Sequence, residues 1–209
     1  MRRSFQQASL AALAGAFFIL ATAGFSSAAL AHVGDHSHMG FAEGLLHPFG
    51  GLDHMLAMVA VGLWASQLGG RALWLLPLAF PVVMAAGAAL GFGGVALDFG
   101  VTPWVEIGIA GSVLVLGAAV ALTLRPTLAV SLPLIALFAV LHGYSHGVEL
   151  PANASALTYA AGFIAATLLL HLIGIAIGVA ANRMPMRFAT RTAGGAIAAI
   201  GVVLLVMPH

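Results

Sequence analysis

Long apolar stretches, broken at short intervals by glycine, proline or arginine, run through most of this chain. A bilayer core needs about 20 predominantly apolar residues per helix. Stretches of that length lie at 48–68, 71–91, 103–124, 127–147, 155–181 and 191–207. The breakers between them are Gly69-Gly70-Arg71, Gly91 to Thr102, Arg125-Pro126, Glu149 to Asn153 and Asn182 to Arg191. The pattern predicts an all-α membrane protein, a bundle of about six transmembrane helices.

The first 31 residues read differently. Met1-Arg2-Arg3 is a basic start, Leu10 to Ala23 an apolar core, and Ala29-Leu30-Ala31 a small-residue cleavage signal followed by polar His32. Those three parts make a secretory signal peptide, and cleavage leaves His32 as the first residue. An uncleaved first helix is the competing reading. Residues 32–46 (HVGDHSHMGFAEGLL) are polar and histidine-containing, an exposed periplasmic tail with a short approach segment. Residues 47–209 then form the transmembrane domain.

Composition sharpens this. Of 209 residues, 62% are hydrophobic and only 6% charged, against roughly 25% charged in a soluble domain. There is no cysteine, so disulfides and thiolate metal sites are excluded, and metal chemistry must fall to His, Asp, Glu and Met. The net charge of +1 argues against a nucleic-acid partner.

The arginines set an orientation. With the signal removed and the new N-terminus outside, the loops alternate in and out. Arg71, Arg125, Arg183, Arg187 and Arg191 then all fall on the inner side, while Asp98 and Glu149 fall in outer loops. This obeys the positive-inside rule and implies a multi-pass protein of the bacterial inner membrane with a periplasmic mature N-terminus. A seven-span chain with an intact signal keeps the same loops. Gly87/Gly91, Gly143/Gly147 and Gly174/Gly178 place small residues four apart, a spacing that lets helix backbones approach. Pro77 and Pro81 are expected to kink the second span.

Ionisable groups inside a membrane are costly, and here they are few and clustered. His47-Pro48-Phe49-Gly50-Gly51-Leu52-Asp53-His54 opens the first span, with Met58 one turn further on. Continuous helix would put His47 and His54 on one face, while Gly50-Gly51 could loosen it. Asp53 either ligates directly or holds an imidazole N–H. Met58 is a soft ligand or plain core packing. The fourth span ends in His142, His146 and Glu149, one stripe at i, i+4 and i+7, suited to chelating a divalent ion. Charge topology puts both clusters near the outer face, which predicts one shared site. His171, alone in the fifth span, is either a station on a path inward or an interhelical hydrogen bond. His32, with a free α-amine and an imidazole, is a metal-capture bracket or simply part of a solvated tail.

The two long motifs resemble those of the HupE/UreJ family of hydrogenase and urease accessory proteins. H-P-x-x-G-x-D-H-x-x-A-M-x-x-V-G matches His47 to Gly62, and L-H-G-x-x-H-G-x-E-x-P matches Leu141 to Pro151. The resemblance covers essentially the whole mature chain. It implies a bacterial inner-membrane permease for Ni²⁺, with Co²⁺ a substrate of some members, working without ATP and supplying a nickel enzyme. Carried onto this chain, the metal-handling positions are His47, Asp53, His54, His142, His146 and Glu149. Ser145 stands where a small residue such as alanine is expected.

The sequence therefore reads as a secondary or passive metal permease with no resident cofactor and no enzymatic activity. Its partners are a divalent ion and the lipid bilayer. Two rivals use the same side chains. A membrane metallohydrolase would hold zinc on the histidines, with Asp53 as its base. A bis-histidine haem protein would use them as axial ligands.

Overall fold

A computed structural model gives the fold and describes residues 40–95, 101–149, 155–183 and 187–207. Among these residues there are seven helices and no strand: α1 (Phe41–Gly50), α2 (Leu52–Leu68), α3 (Ala72–Phe92), α4 (Val101–Ala121), α5 (Leu128–Glu149), α6 (Ala156–Arg183) and α7 (Arg187–Val206). The expected signal peptide and the tail up to Met39, with its bracket residue His32, lie outside the described residues.

Five helices, α3 to α7, are long and apolar enough to cross a bilayer. The count becomes six when α1 and α2 are taken as one broken span, bent by 87° at the glycine between them. The sequence places the first span at 48–68 and leaves open whether Gly50-Gly51 loosens it; the structure breaks the helix there and starts it earlier. Pro48 lies inside α1, which already begins at Phe41, so the segment read as an approach is helical. Gly51, at φ −105° and ψ 122°, is extended and ends the helix. His47 and His54 therefore do not share the face of one helix; they sit on either side of a sharp bend.

Helix α2 is the centre of the fold. It is apolar nearly all round, which is the pattern of a helix surrounded by others. From Leu56 to Gln67 every residue is buried. It packs against α3, α4 and α6, and α1 folds against α6. The outward faces of the surrounding helices carry Trp74, Leu78, Val82, Leu137, Leu157 and Phe188, all exposed as lipid-facing residues would be.

Glycines set how closely the helices approach. A methyl group built at Gly143 or Gly147 of α5 would meet the backbone of Met84 and Ala88 on α3, and one at Gly87 or Gly91 would meet Val140 and Tyr144 on α5. Gly62 of α2 faces Gly174 of α6 in the same manner, the added carbon lying 2.9 Å from Gly174 Cα. The sequence spacing anticipates these two seams. A third seam joins α4 and α7, where Gly117 and Gly194 meet backbone to backbone.

At the end of the bundle holding the α4–α5 connection, polar side chains serve the backbone at and just after the end of α4. The last carbonyls of a helix lack intrahelical partners. Here Gln67 Nε2 donates to Val120 O at 3.1 Å, Arg191 Nε to Ala121 O at 3.1 Å, and Trp64 Nε1 to Leu124 O at 2.9 Å. A cation at a helix C-terminus also complements the macrodipole. Arg71 and Arg125 lie at this same end, at the start of α3 and just after α4.

Candidate functional site

The opposite end of the bundle gathers the histidines. There the start of α2, the end of α5, the bent-back α1 and the start of α6 come together. His54 reaches it from the first residues of α2, His142 and His146 from the last two turns of α5, and His47 from α1. Two motifs far apart in the chain thus meet: His54 Nε2 stands 2.7 Å from His146 Nε2 across a sequence separation of 92 residues.

The rings form a chain rather than a cage. His47 and His146 have centroids 4.6 Å apart, His146 and His54 4.4 Å, and His54 and His142 4.7 Å. The chain runs from surface to interior. His47 is exposed, His146 and His54 are buried, and His142 is wholly buried. Among the described residues no three His, Asp or Glu side chains stand ready-made around a single point for a metal ion. Tyr159 and Phe163, one turn apart on α6, wall the outer part, with Phe163 4.4 Å from His146 and 5.8 Å from His47.

Hydrogen bonds orient the rings. Asp53 Oδ1 lies 2.9 Å from His54 Nδ1 and also accepts the His54 backbone N–H at 2.7 Å. A carboxylate can only accept, so the neutral His54 ring carries its proton on Nδ1 and turns the Nε2 lone pair toward His146. His146 then supplies the single hydrogen between the two Nε2 atoms. His142 Nδ1 donates to the Phe138 carbonyl one turn back at 2.9 Å, leaving its Nε2 as a buried acceptor with no hydrogen-bond partner. This is the arrangement by which an outer partner fixes the tautomer of a metal-ligating histidine.

That geometry is close to what a divalent ion needs. With imidazole–metal bonds of about 2.1 Å, two nitrogens on one ion stand about 3.0–3.4 Å apart. The observed 2.7 Å separation of His54 and His146 needs only a small opening for an ion to replace the shared proton.

The other expected site residues fall as follows. Asp53 is half-buried and committed to His54, so it sits behind an imidazole. Glu149 is the last residue of α5, at the same end, and its side chain lies outside the described residues. Met58, one turn past His54, is wholly buried in the apolar core of the bundle. His171 lies deeper, fully buried on α6. Sequence reasoning missed the walls. Tyr159 and Phe163 carried a readable signal, their four-residue spacing in line with His171, but aromatic residues in a membrane helix are commonplace.

The family model described as "HupE / UreJ protein" matches residues 20–204. The chain is 46% identical over 187 residues to Protein HupE of Rhizobium leguminosarum bv. viciae, covering 90% of this chain and 95% of that protein. No solved structure matches.

Proposed function

The chain belongs to the HupE/UreJ family, and from that premise we propose that it is a bacterial inner-membrane permease that admits Ni²⁺, and Co²⁺ as a second substrate, to supply a nickel enzyme such as a hydrogenase or urease. The observation that carries this reading is the 2.7 Å approach of His54 and His146, which unites the two motifs at one end of a membrane bundle. Neutral imidazole suits these metals, and no cysteine competes for them.

In this reading the histidine end faces the periplasm and the arginine end the cytoplasm, following the positive-inside rule. His47, exposed on α1, is the first imidazole an incoming ion meets. Carboxylates on the outer side, Glu149 among them, draw in the cation. His146 and His54 then take the ion between their Nε2 atoms, with Asp53 holding His54 in the required tautomer and its negative charge offsetting part of the ion's. His142 follows further in. A row of single imidazoles binds more loosely than a closed cage of four ligands, and loose successive binding is what conduction requires. A dication moving down the membrane potential gains about 4.6 kcal/mol per 100 mV, twice the single-charge value, so inward flow needs no ATP.

Asp53 Oδ1 accepts both the ring and the backbone N–H of His54, which ties this carboxylate to orienting the imidazole, a role that favours transport over hydrolysis. The testing experiment is ⁶³Ni²⁺ uptake by cells expressing the protein, with Co²⁺ and Zn²⁺ as competitors. Uptake above vector controls that Co²⁺ suppresses supports the reading. Uptake no greater than the control refutes it.

A further inference from the structure

Beneath the outer histidines, buried polar atoms continue into the bundle. His171 is fully buried, and its Nε2 has no hydrogen-bond partner. Its other nitrogen, Nδ1, donates to the Pro77 carbonyl of α3 at 3.1 Å. That carbonyl is available for a specific reason. In a helix it would accept the N–H of residue 81, but position 81 is proline and has none. The two prolines of α3 therefore present an acceptor that fixes the His171 tautomer and leaves the Nε2 lone pair facing the interior. Phe80, fully buried, separates this imidazole from the outer ones, its ring 5.6 Å from His142 and 5.5 Å from His171.

Helix α6 carries a matching stripe. Tyr159, Phe163, Thr167 and His171 recur every fourth residue and share one face. The first two wall the outer site. Thr167, one turn before His171, is also fully buried, and its Oγ1 has no hydrogen-bond partner. Unsatisfied buried polar atoms are uncommon and call for an explanation. Two of them one turn apart, on the face that leads inward from the outer site, point to a ligand.

We propose that His171 and Thr167 form an inner station for the permeating divalent metal ion, separated from the outer imidazoles by the Phe80 ring. The inference rests on the transport reading above and extends it to a second binding position. His171 Nε2 ligates the ion, which keeps part of its water shell, and a bound water donates to Thr167 Oγ1. Two dications this close in a low-dielectric interior repel strongly, so the outer and inner stations fill alternately. Arrival of an ion outside then favours release of the one inside, as between adjacent sites of a conducting pore.

The experiment uses purified full-length protein in nanodiscs with the outer site disabled by His54→Ala and His146→Ala together, titrated with Ni²⁺ by calorimetry. One Ni²⁺ per chain still binds, and adding His171→Gln weakens that binding by about tenfold or more. Glutamine keeps an N–H for the Pro77 carbonyl, so a purely structural histidine would be rescued by it and a ligand would not. Thr167→Val weakens the same binding by less. The inner station is overturned if the outer-disabled protein binds no Ni²⁺, or if it binds equally with His171→Gln. Wild-type ⁶³Ni²⁺ uptake is measured alongside. If that fails while the His171-dependent binding persists, the transport reading falls and the site stands.

Discussion

The site can be disabled without touching a ligand. Gly143 follows His142 directly on α5 and faces α3. A methyl group added there would run into the Met84 carbonyl oxygen and would lie 2.8 Å from the Met84 carbonyl carbon and 2.9 Å from the Ala88 nitrogen. Ordinary carbon contacts are about 3.5–4.0 Å, so the two helices must part by more than about 1 Å. Both partners are backbone, so no side chain can rotate out of the way. Overpacking of this kind costs about 1–3 kcal/mol, less than a typical stability of about 5–15 kcal/mol, so Gly143→Ala should remain folded. The displacement falls on the turn that carries His142 and His146, whose Nε2 meets His54 at 2.7 Å. A misplacement of about 1 Å in a functional group can cost about 10²-fold. The expected outcome is membrane protein at near-normal level, a lowered thermal midpoint, and ⁶³Ni²⁺ uptake reduced about tenfold to hundredfold. Gly195→Ala is the control, since a methyl group there meets nothing within 4 Å and alanine suits a helix better. Wild-type uptake and midpoint in Gly143→Ala would refute the claim that this glycine sets the spacing of the site.

Three further outcomes are expected. Asp53→Asn keeps an acceptor for His54 Nδ1 but loses the charge, so nickel affinity should fall about 10–100-fold with normal protein level; unchanged affinity would remove Asp53 from the site. Cysteines placed at Asp98 and Arg125 in this cysteine-free chain should react with an impermeant thiol reagent in intact spheroplasts at the first position only; the reverse pattern would invert the proposed orientation. Mature protein purified from membranes should begin at His32, checked by intact mass; a retained Met1 would leave that residue a plain part of the tail.

The sequence made much of the bundle legible, for reasons that differ between its parts. Long apolar runs are a strong signal because lipid leaves backbone groups no partner except their own helix, and α3 to α7 follow them closely. The meeting of His54 with His146 was legible because successive spans alternate in direction, which puts the start of the first and the end of the fourth at the same end of the bundle. The bend at Gly51 was harder to see. Gly50-Gly51 suggested a loosened helix, but whether a glycine pair flexes or breaks depends on what the preceding segment packs against. Here α1 is held on α6 through Gly44 and Gly162, each close to the opposing backbone. The α4–α7 seam escaped for a similar reason, because Gly117, Gly194 and Gly201 look like any small residues until their partners are known. The role of Pro77 was invisible for another: a carbonyl freed by Pro81 takes effect only where a donor such as His171 is brought to it by the fold.

The central claim is that His54 and His146 act as one metal-handling unit, and a double-substitution cycle on nickel uptake tests it most directly. Initial ⁶³Ni²⁺ uptake would be measured for wild type, His54→Ala, His146→Ala and the pair, each normalised to protein in the membrane. Residues that act as a unit are strongly non-additive. The account predicts that each single change removes nearly all uptake and that the pair is no worse than either. Two partial losses that multiply in the pair would mean separate sites and would contradict it.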